Sequence, residues 1–129
     1  MSEKKLVIVD DETHIRALLE QTLEELEDEF GVEVHSAADG EAGLALIRLE
    51  RPQLVFLDVM MPKINGFEVC RAVLADSALA GTHVILLTAK GQEADRQQGL
   101  QAGARSYITK PFDPDEVLAL AKEILGLSA

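Results

Sequence analysis

The side chains of this 129-residue chain that could do chemistry together are Asp10, Asp11, Asp58, Thr88 and Lys110. Asp10, Asp58, Thr88 and Lys110 each end a short run rich in apolar residues, and Asp11 follows Asp10 directly. The clearest run is Leu54-Val-Phe-Leu-Asp58, stopped soon after by Pro62. Runs of this length, with β-branched and aromatic members, read as strands buried on both faces, as parallel sheets require. No partner inside such a sheet could neutralise an aspartate, so Asp58 belongs at the strand's C-terminal tip. In open α/β sheets the C-terminal edge is where ligands bind. Three carboxylates meeting there repel one another unless a cation or protons intervene. With no His or Cys among them the donor set is all oxygen, which favours Mg2+ first and Mn2+ second. Lys110 and Thr88 suit the outer oxygens of a phosphoryl group. An aspartate can itself attack phosphorus, and Asp58, on the central strand, is the expected nucleophile. Asp11 would hold the metal, with Asp10 behind it or acting through water, and the backbone carbonyl of Met60 is a further candidate ligand.

These residues need a frame, and the punctuation of the chain supplies five strand-then-helix units. Strands are expected at 5–10, 32–37, 53–58, 83–88 and 106–110. The first helix is expected to carry Ile15, Leu18, Leu19, Leu23 and Leu26 on one face, with Thr13 as its cap and Gly31 as its end. The second begins at Asp39-Gly40, presents Ala42, Ala45, Leu46 and Leu49, and stops at Arg51-Pro52. The third presents Phe67, Cys70, Val73 and Leu74. The fourth, about 92–102, has Gln97, Gln98 and Gly99 in its middle and is expected to be the most easily shifted; its glycine alone costs about 1 kcal/mol relative to alanine. The last has Asp113 as cap, Pro114 in the first turn, Glu116 three residues on, and Val117, Leu120, Ala121, Ile124 and Leu125 facing the core. Strict alternation implies an α/β fold in three layers, α/β/α, around a parallel five-stranded sheet. The common flavodoxin-like, doubly wound order 2-1-3-4-5 puts the switch point between strands 1 and 3.

Composition narrows the function. The chain is 47% hydrophobic with a net charge of −11, which suits one domain with a real core. A nucleic-acid surface is not expected, because such surfaces draw their affinity from clustered cations. The single cysteine, Cys70, excludes an internal disulfide and reads as a buried filler. No apolar run approaches the roughly 20 residues that span a bilayer, and the N-terminus lacks a signal peptide's apolar region. A cytoplasmic protein is expected. His14, His35 and His83 are scattered and read as structural or surface residues.

Five motifs stand in an order and spacing that resembles the receiver domain of two-component response regulators, over practically the whole chain. They are Val9-Asp-Asp-Glu12, Leu57-Asp-Val-Met-Met-Pro62 with Gly66, Leu87-Thr-Ala89, Ala102-Gly-Ala104 and Tyr107-Ile-Thr-Lys-Pro-Phe112. The resemblance implies that Asp58 accepts a phosphoryl group from a sensor histidine kinase, a phosphotransfer protein or a small phosphodonor, with Mg2+ required. It implies that Asp10 and Asp11 serve the metal, that Thr88 and Lys110 bind the phosphoryl, that Lys110–Pro111 is cis, and that Tyr107 is an aromatic switch residue. It implies too that phosphorylation rebiases the surface of the fourth helix, fifth strand and fifth helix. Met60 and Lys90 occupy the two positions that tune phosphoryl lifetime in the family. Asn65 stands where an acid is frequent. Arg105-Ser106 replaces an acidic pair of relatives that dimerise to bind DNA, which argues against that dimer mode. A single receiver unit over 1–129 is expected, monomeric or weakly dimeric on phosphorylation. With no effector domain after Ala129, its output would be a downstream protein target or a domain outside this sequence.

Blander readings stand beside these. Asp10 and Asp11 could be a helix-capping acid pair, Tyr107 could be edge-strand packing, and Thr88 or Lys110 alone would be ordinary. Two rival functions are a pseudo-receiver scaffold with an unused pocket and a Mg2+-dependent aspartyl-phosphate phosphohydrolase. The hydrolase would need a second acid–base residue and a cap, but Val59 and Met60 follow Asp58 and no insertion is long enough to make one.

Overall fold

The computed structural model describes residues 4–89 and 93–127. Its five strands are all parallel: β1 (Lys5–Val9), β2 (Glu33–Ala37), β3 (Leu54–Asp58), β4 (His83–Ala89) and β5 (Ser106–Lys110). They lie in the order β2-β1-β3-β4-β5, the doubly wound order expected for five such units. β3 is buried at every position, and Phe56 at its centre is fully enclosed. One face of the sheet, with Leu6, Ile8, Phe56 and Leu87, packs on α1 (Thr13–Thr22), α2 (Glu24–Phe30) and α6 (Pro114–Leu125). The other, with Val7, Val9, Leu57 and Leu86, packs on α3 (Gly40–Glu50), α4 (Gly66–Ala75) and α5 (Glu93–Ala102). Side chains alternate between the faces along each strand, so both apolar layers come from the same short runs. Among the described residues no helix is long and apolar enough to cross a membrane.

The helices depart from expectation in several places. The first is two helices, because Leu23 leaves helical geometry at ψ 0°. Just before it, the Thr22 hydroxyl donates to the Leu18 carbonyl at 2.7 Å, a back-bond that bends helices. Leu23 and Leu26 are still fully buried, and the acids of α2 point outward. Thr13 does not cap α1: Glu12 holds that position without a side-chain bond. The buried face of α3 is Gly40, Gly43 and Ile47, whereas Ala42 and Ala45 are exposed and Leu49 is 75% exposed. Glycine explains the rotation, since a Cβ at Gly43 would lie 2.6 Å from Cγ1 of Val9. Leu74 is also exposed, resting over Gly103.

The reciprocal capping box forms at Asn65 and Glu68 of α4. In α6, Asp113 instead accepts from the Asp115 N–H, and Glu116 is exposed. Residue 92, the expected start of the fourth helix, lies outside the described residues.

The contact at Gly43 gives a test of the α3 packing. Gly43→Ala should lower stability by about 1–2 kcal/mol, since overpacking by one methyl outweighs the gain in helix propensity. Gly81→Ala, where an added Cβ meets nothing within 4 Å, should be neutral or slightly stabilising. Urea unfolding of the two variants should separate them, and equal effects would refute the close α3–β1 approach.

Candidate functional site

β1 and β3 are neighbours, so the residues at their C-terminal ends meet. Asp10, just past β1, is fully buried, and Asp58 at the tip of β3 is 5% exposed. Between them lies the ammonium of Lys110, brought from β5 across the sheet edge, at 2.9 Å from Asp10 Oδ2 and 3.4 Å from Asp58 Oδ1. It also reaches Glu12 Oε1 at 3.3 Å. Asp10, Asp11, Glu12 and Asp58 each offer one carboxylate oxygen to a common set whose members lie within 4.8 Å of one another. The β1–α1 turn is fixed from inside: Asp10 Oδ1 accepts from the Glu12 N–H at 2.9 Å, and the Asp10 N–H donates to Ala37 O at 3.2 Å. Across the site, Gly66 lies so close to the Asp58 carbonyl that any Cβ there would collide with it. Its N–H also donates to Val59 O at 2.9 Å, closing the loop after β3.

The remaining predicted residues lie at graded distances from this cluster. Thr88 is buried near the tip of β4, one residue beyond Leu87, the register partner of Asp58. Tyr107 sits two residues short of Thr109, which pairs with Thr88. It is half-buried against the Val7–Leu86 layer rather than at the edge. Met60 follows β3 with its side chain 66% exposed. The Lys110–Pro111 peptide bond is cis. Lys90 lies outside the described residues.

Glu12 was not singled out as a site residue, although it is the third acid of an unbroken run immediately before a helix. Nor does the sequence mark Arg16, whose only signal is a cation shortly after the acid run, early in α1. His35, far from this edge, has Nε2 at 3.3 Å from Glu33 and 3.5 Å from Glu50, and Glu50 already pairs with Lys5 at 3.2 Å.

Four carboxylates against one ammonium leave the edge strongly negative. Burial, then the charge of Asp10, pushes the Asp58 carboxyl up to about 7, with Lys110 pulling partly the other way. For Lys110, burial works against its charge, but the Asp10 bond and the charges of Asp58 and Asp10 outweigh it and raise its pKa. Asp10 Oδ2 is buried and meets only the Lys110 ammonium, at 2.9 Å, among the described residues. A buried carboxylate oxygen that shares one ammonium with two other acids, in an all-oxygen cluster, fits a hard divalent cation such as Mg2+.

The Asp58 shift fixes a pH dependence. Between 3.8, the ordinary carboxyl value, and about 7, folding takes up a proton at Asp58. This group therefore favours folding as pH falls through that interval, and its charge opposes folding above it. In divalent-free buffer, Asp58→Asn should be nearly neutral near pH 4 and increasingly stabilising as pH rises. The gain should level off above pH 7 at about 2–4 kcal/mol. Urea unfolding of both proteins across this range checks the slope, and a gain independent of pH would sink the assignment.

Comparison with known proteins agrees with this geometry. The family model for the response regulator receiver domain matches residues 6–122. The probable transcriptional regulator ycf27 of Cyanophora paradoxa is 45% identical over 125 residues, covering 97% of this chain and 49% of that protein. The chain thus spans about half the length of the curated relatives it matches. The chemotaxis response regulator CheY4 of Vibrio cholerae superposes with a TM-score of 0.84 at 33% identity, covering 96% of this chain and all of that one. The receiver domain of the sensor histidine kinase PA1611 of Pseudomonas aeruginosa, solved with a magnesium ion in its active-site cleft, gives a TM-score of 0.84 at 26% identity. It covers 97% of this chain and 99% of its own. The chain belongs to the receiver-domain family of two-component response regulators.

Proposed function

We propose that the chain, over 1–129, is a phosphoacceptor unit in which Asp58 takes a phosphoryl group from a sensor histidine kinase, a phosphotransfer protein or a small phosphodonor. The observation that carries this reading is the Asp10–Lys110–Asp58 cluster, with its 2.9 Å and 3.4 Å contacts to one shared ammonium and its four carboxylate oxygens within 4.8 Å of one another. Asp10, Asp11 and Asp58, with the Met60 carbonyl, would hold Mg2+, and Mn2+ could replace it. The bound ion would offset the negative charge that otherwise keeps a phosphoryl group away.

Asp58 performs the attack. Its carboxylate oxygen forms the new bond to phosphorus while the bond from phosphorus to the donor nitrogen or oxygen breaks, and that electron pair leaves with the donor. Lys110, already 3.4 Å from Asp58 Oδ1, moves onto a phosphoryl oxygen as its new partner, and the Thr88 hydroxyl donates to another. Thr88 and Leu86 share one face of β4, and Tyr107 packs in the layer containing Leu86. A shift of Thr88 toward the edge therefore opens space on the side where Tyr107 sits. The outcome is a change in the surface of α5, β5 and α6, read by a downstream protein target or by a domain outside this sequence. The cycle of phosphorylation and loss changes only the protein itself, as suits a signalling module in the cytoplasm.

Intact-mass spectrometry after incubation with Mg2+ and a small acyl phosphate tests this directly. One phosphoryl adduct is expected, lost on chelation and absent in Asp58→Asn. No adduct, together with no detectable beryllofluoride complex, would favour the scaffold reading. Turnover of a generic phosphate ester would favour the hydrolase.

A further inference from the structure

Arg16 is the fourth residue of α1, just past the acidic turn. Long helical side chains lean toward the helix N-terminus, so its guanidinium reaches back over the acidic turn. Three carboxylates stand on that turn, yet none of the ion pairs within 4 Å among the described residues includes Arg16. It instead donates from Nη1 to the backbone carbonyl of Asp10 at 2.6 Å, and from Nη2 to the Thr13 hydroxyl at 3.4 Å.

The choice of partner is informative. The Asp10 carbonyl and the Asp11 N–H belong to one planar peptide unit. Fixing the oxygen fixes that plane, and with it the direction in which Asp11 leaves the turn. The Asp10 side chain and N–H are already held by Glu12 and Ala37. On the near side of Asp11 the Asp10–Asp11 peptide is held through its carbonyl by Arg16, while the Glu12 N–H holds the far side. We infer that Arg16 is a positioning residue that sets the Asp10–Asp11 peptide plane and so pre-organises the carboxylates for a divalent cation. This rests on the reading of the acidic edge as a cation site.

Charge and geometry make opposite forecasts here. Removing a cation beside an anionic site should tighten Mg2+ binding through Coulomb attraction. Loss of a bond that orients a metal ligand should weaken it, by about tenfold for such supporting contacts. Arg16→Lys keeps the charge but cannot span both acceptors with a planar fork.

Isothermal titration of the metal-free protein with magnesium chloride, without phosphodonor, decides between them. Wild type, Arg16→Ala, Arg16→Lys and the exposed-site control Arg48→Ala would be compared, each with its melting temperature. We expect about tenfold weaker binding in both Arg16 variants, no change in Arg48→Ala, and a melting temperature in Arg16→Lys close to wild type. Wild-type affinity in Arg16→Lys, or tighter binding in Arg16→Ala, would overturn the positioning role while leaving the cation site intact. If Arg16→Ala does not fold, Arg16→Lys alone decides. A wild type that binds no Mg2+ would overturn the reading of the edge itself, and the role of Arg16 with it.

Discussion

Two carboxylates buried at the ends of adjacent strands, with one ammonium between them, are the constraint on which the rest of the structure depends. Asp10 and Asp58 lose water and gain each other's repulsion, and Lys110 offsets only part of that cost. Buried ion pairs seldom add net stability, so the remainder of the fold must supply it. The uninterrupted burial of β3 and the two dense apolar layers do so. This is the local violation of folding rules that functional sites are expected to show, offset elsewhere in the molecule.

The same constraint ties the middle of the sheet to its rim. Lys110 is on the edge strand β5, but its partners are at the ends of β1 and β3, on the far side of β4. Any group that bids for Lys110 at the centre therefore pulls on β5. Thr88, on the intervening strand and in register with Thr109, lies along the same route. A change in charge at Asp58 would thus reach β4 and β5 first. No long relay through the core is required.

Strand order, layer composition and the convergence of Asp10, Asp58 and Lys110 were legible in the sequence because each depends on short-range pattern. An apolar run with a polar last residue leaves the polar group one place to go. Helix orientation was less legible where the cause lay in another element. Counting apolar residues put Ala42, Ala45 and Leu49 on the inner face of α3, but the fit of Gly43 against Val9 turns the helix elsewhere. The break at Leu23 depends on one hydroxyl of Thr22 choosing a carbonyl. Glu12 and Arg16 escaped notice because their roles appear only once the turn is folded and their partners, Lys110 and the Asp10 carbonyl, can be measured.

The two sides of the site are also held unequally, which bears on where a signal can emerge. α6 buries Val117, Ala121 and Leu125, and Lys122 ties it to α2 through Glu25 at 2.6 Å and the ring of Phe30. Among the described side chains of α5, the buried ones are Gly99 and Ala102, and Leu100 is 47% exposed. At about 0.8 kcal/mol per buried methylene, the described side chains of α5 contribute far less apolar burial than those of α6. Gly99 has a structural reason despite its low helix propensity, since a Cβ there would strike Leu86. That contact sets α5 directly on the strand that carries Thr88. A displacement of β4 would therefore meet α5, whose described side chains bury little apolar surface, while α6 packs on the opposite face.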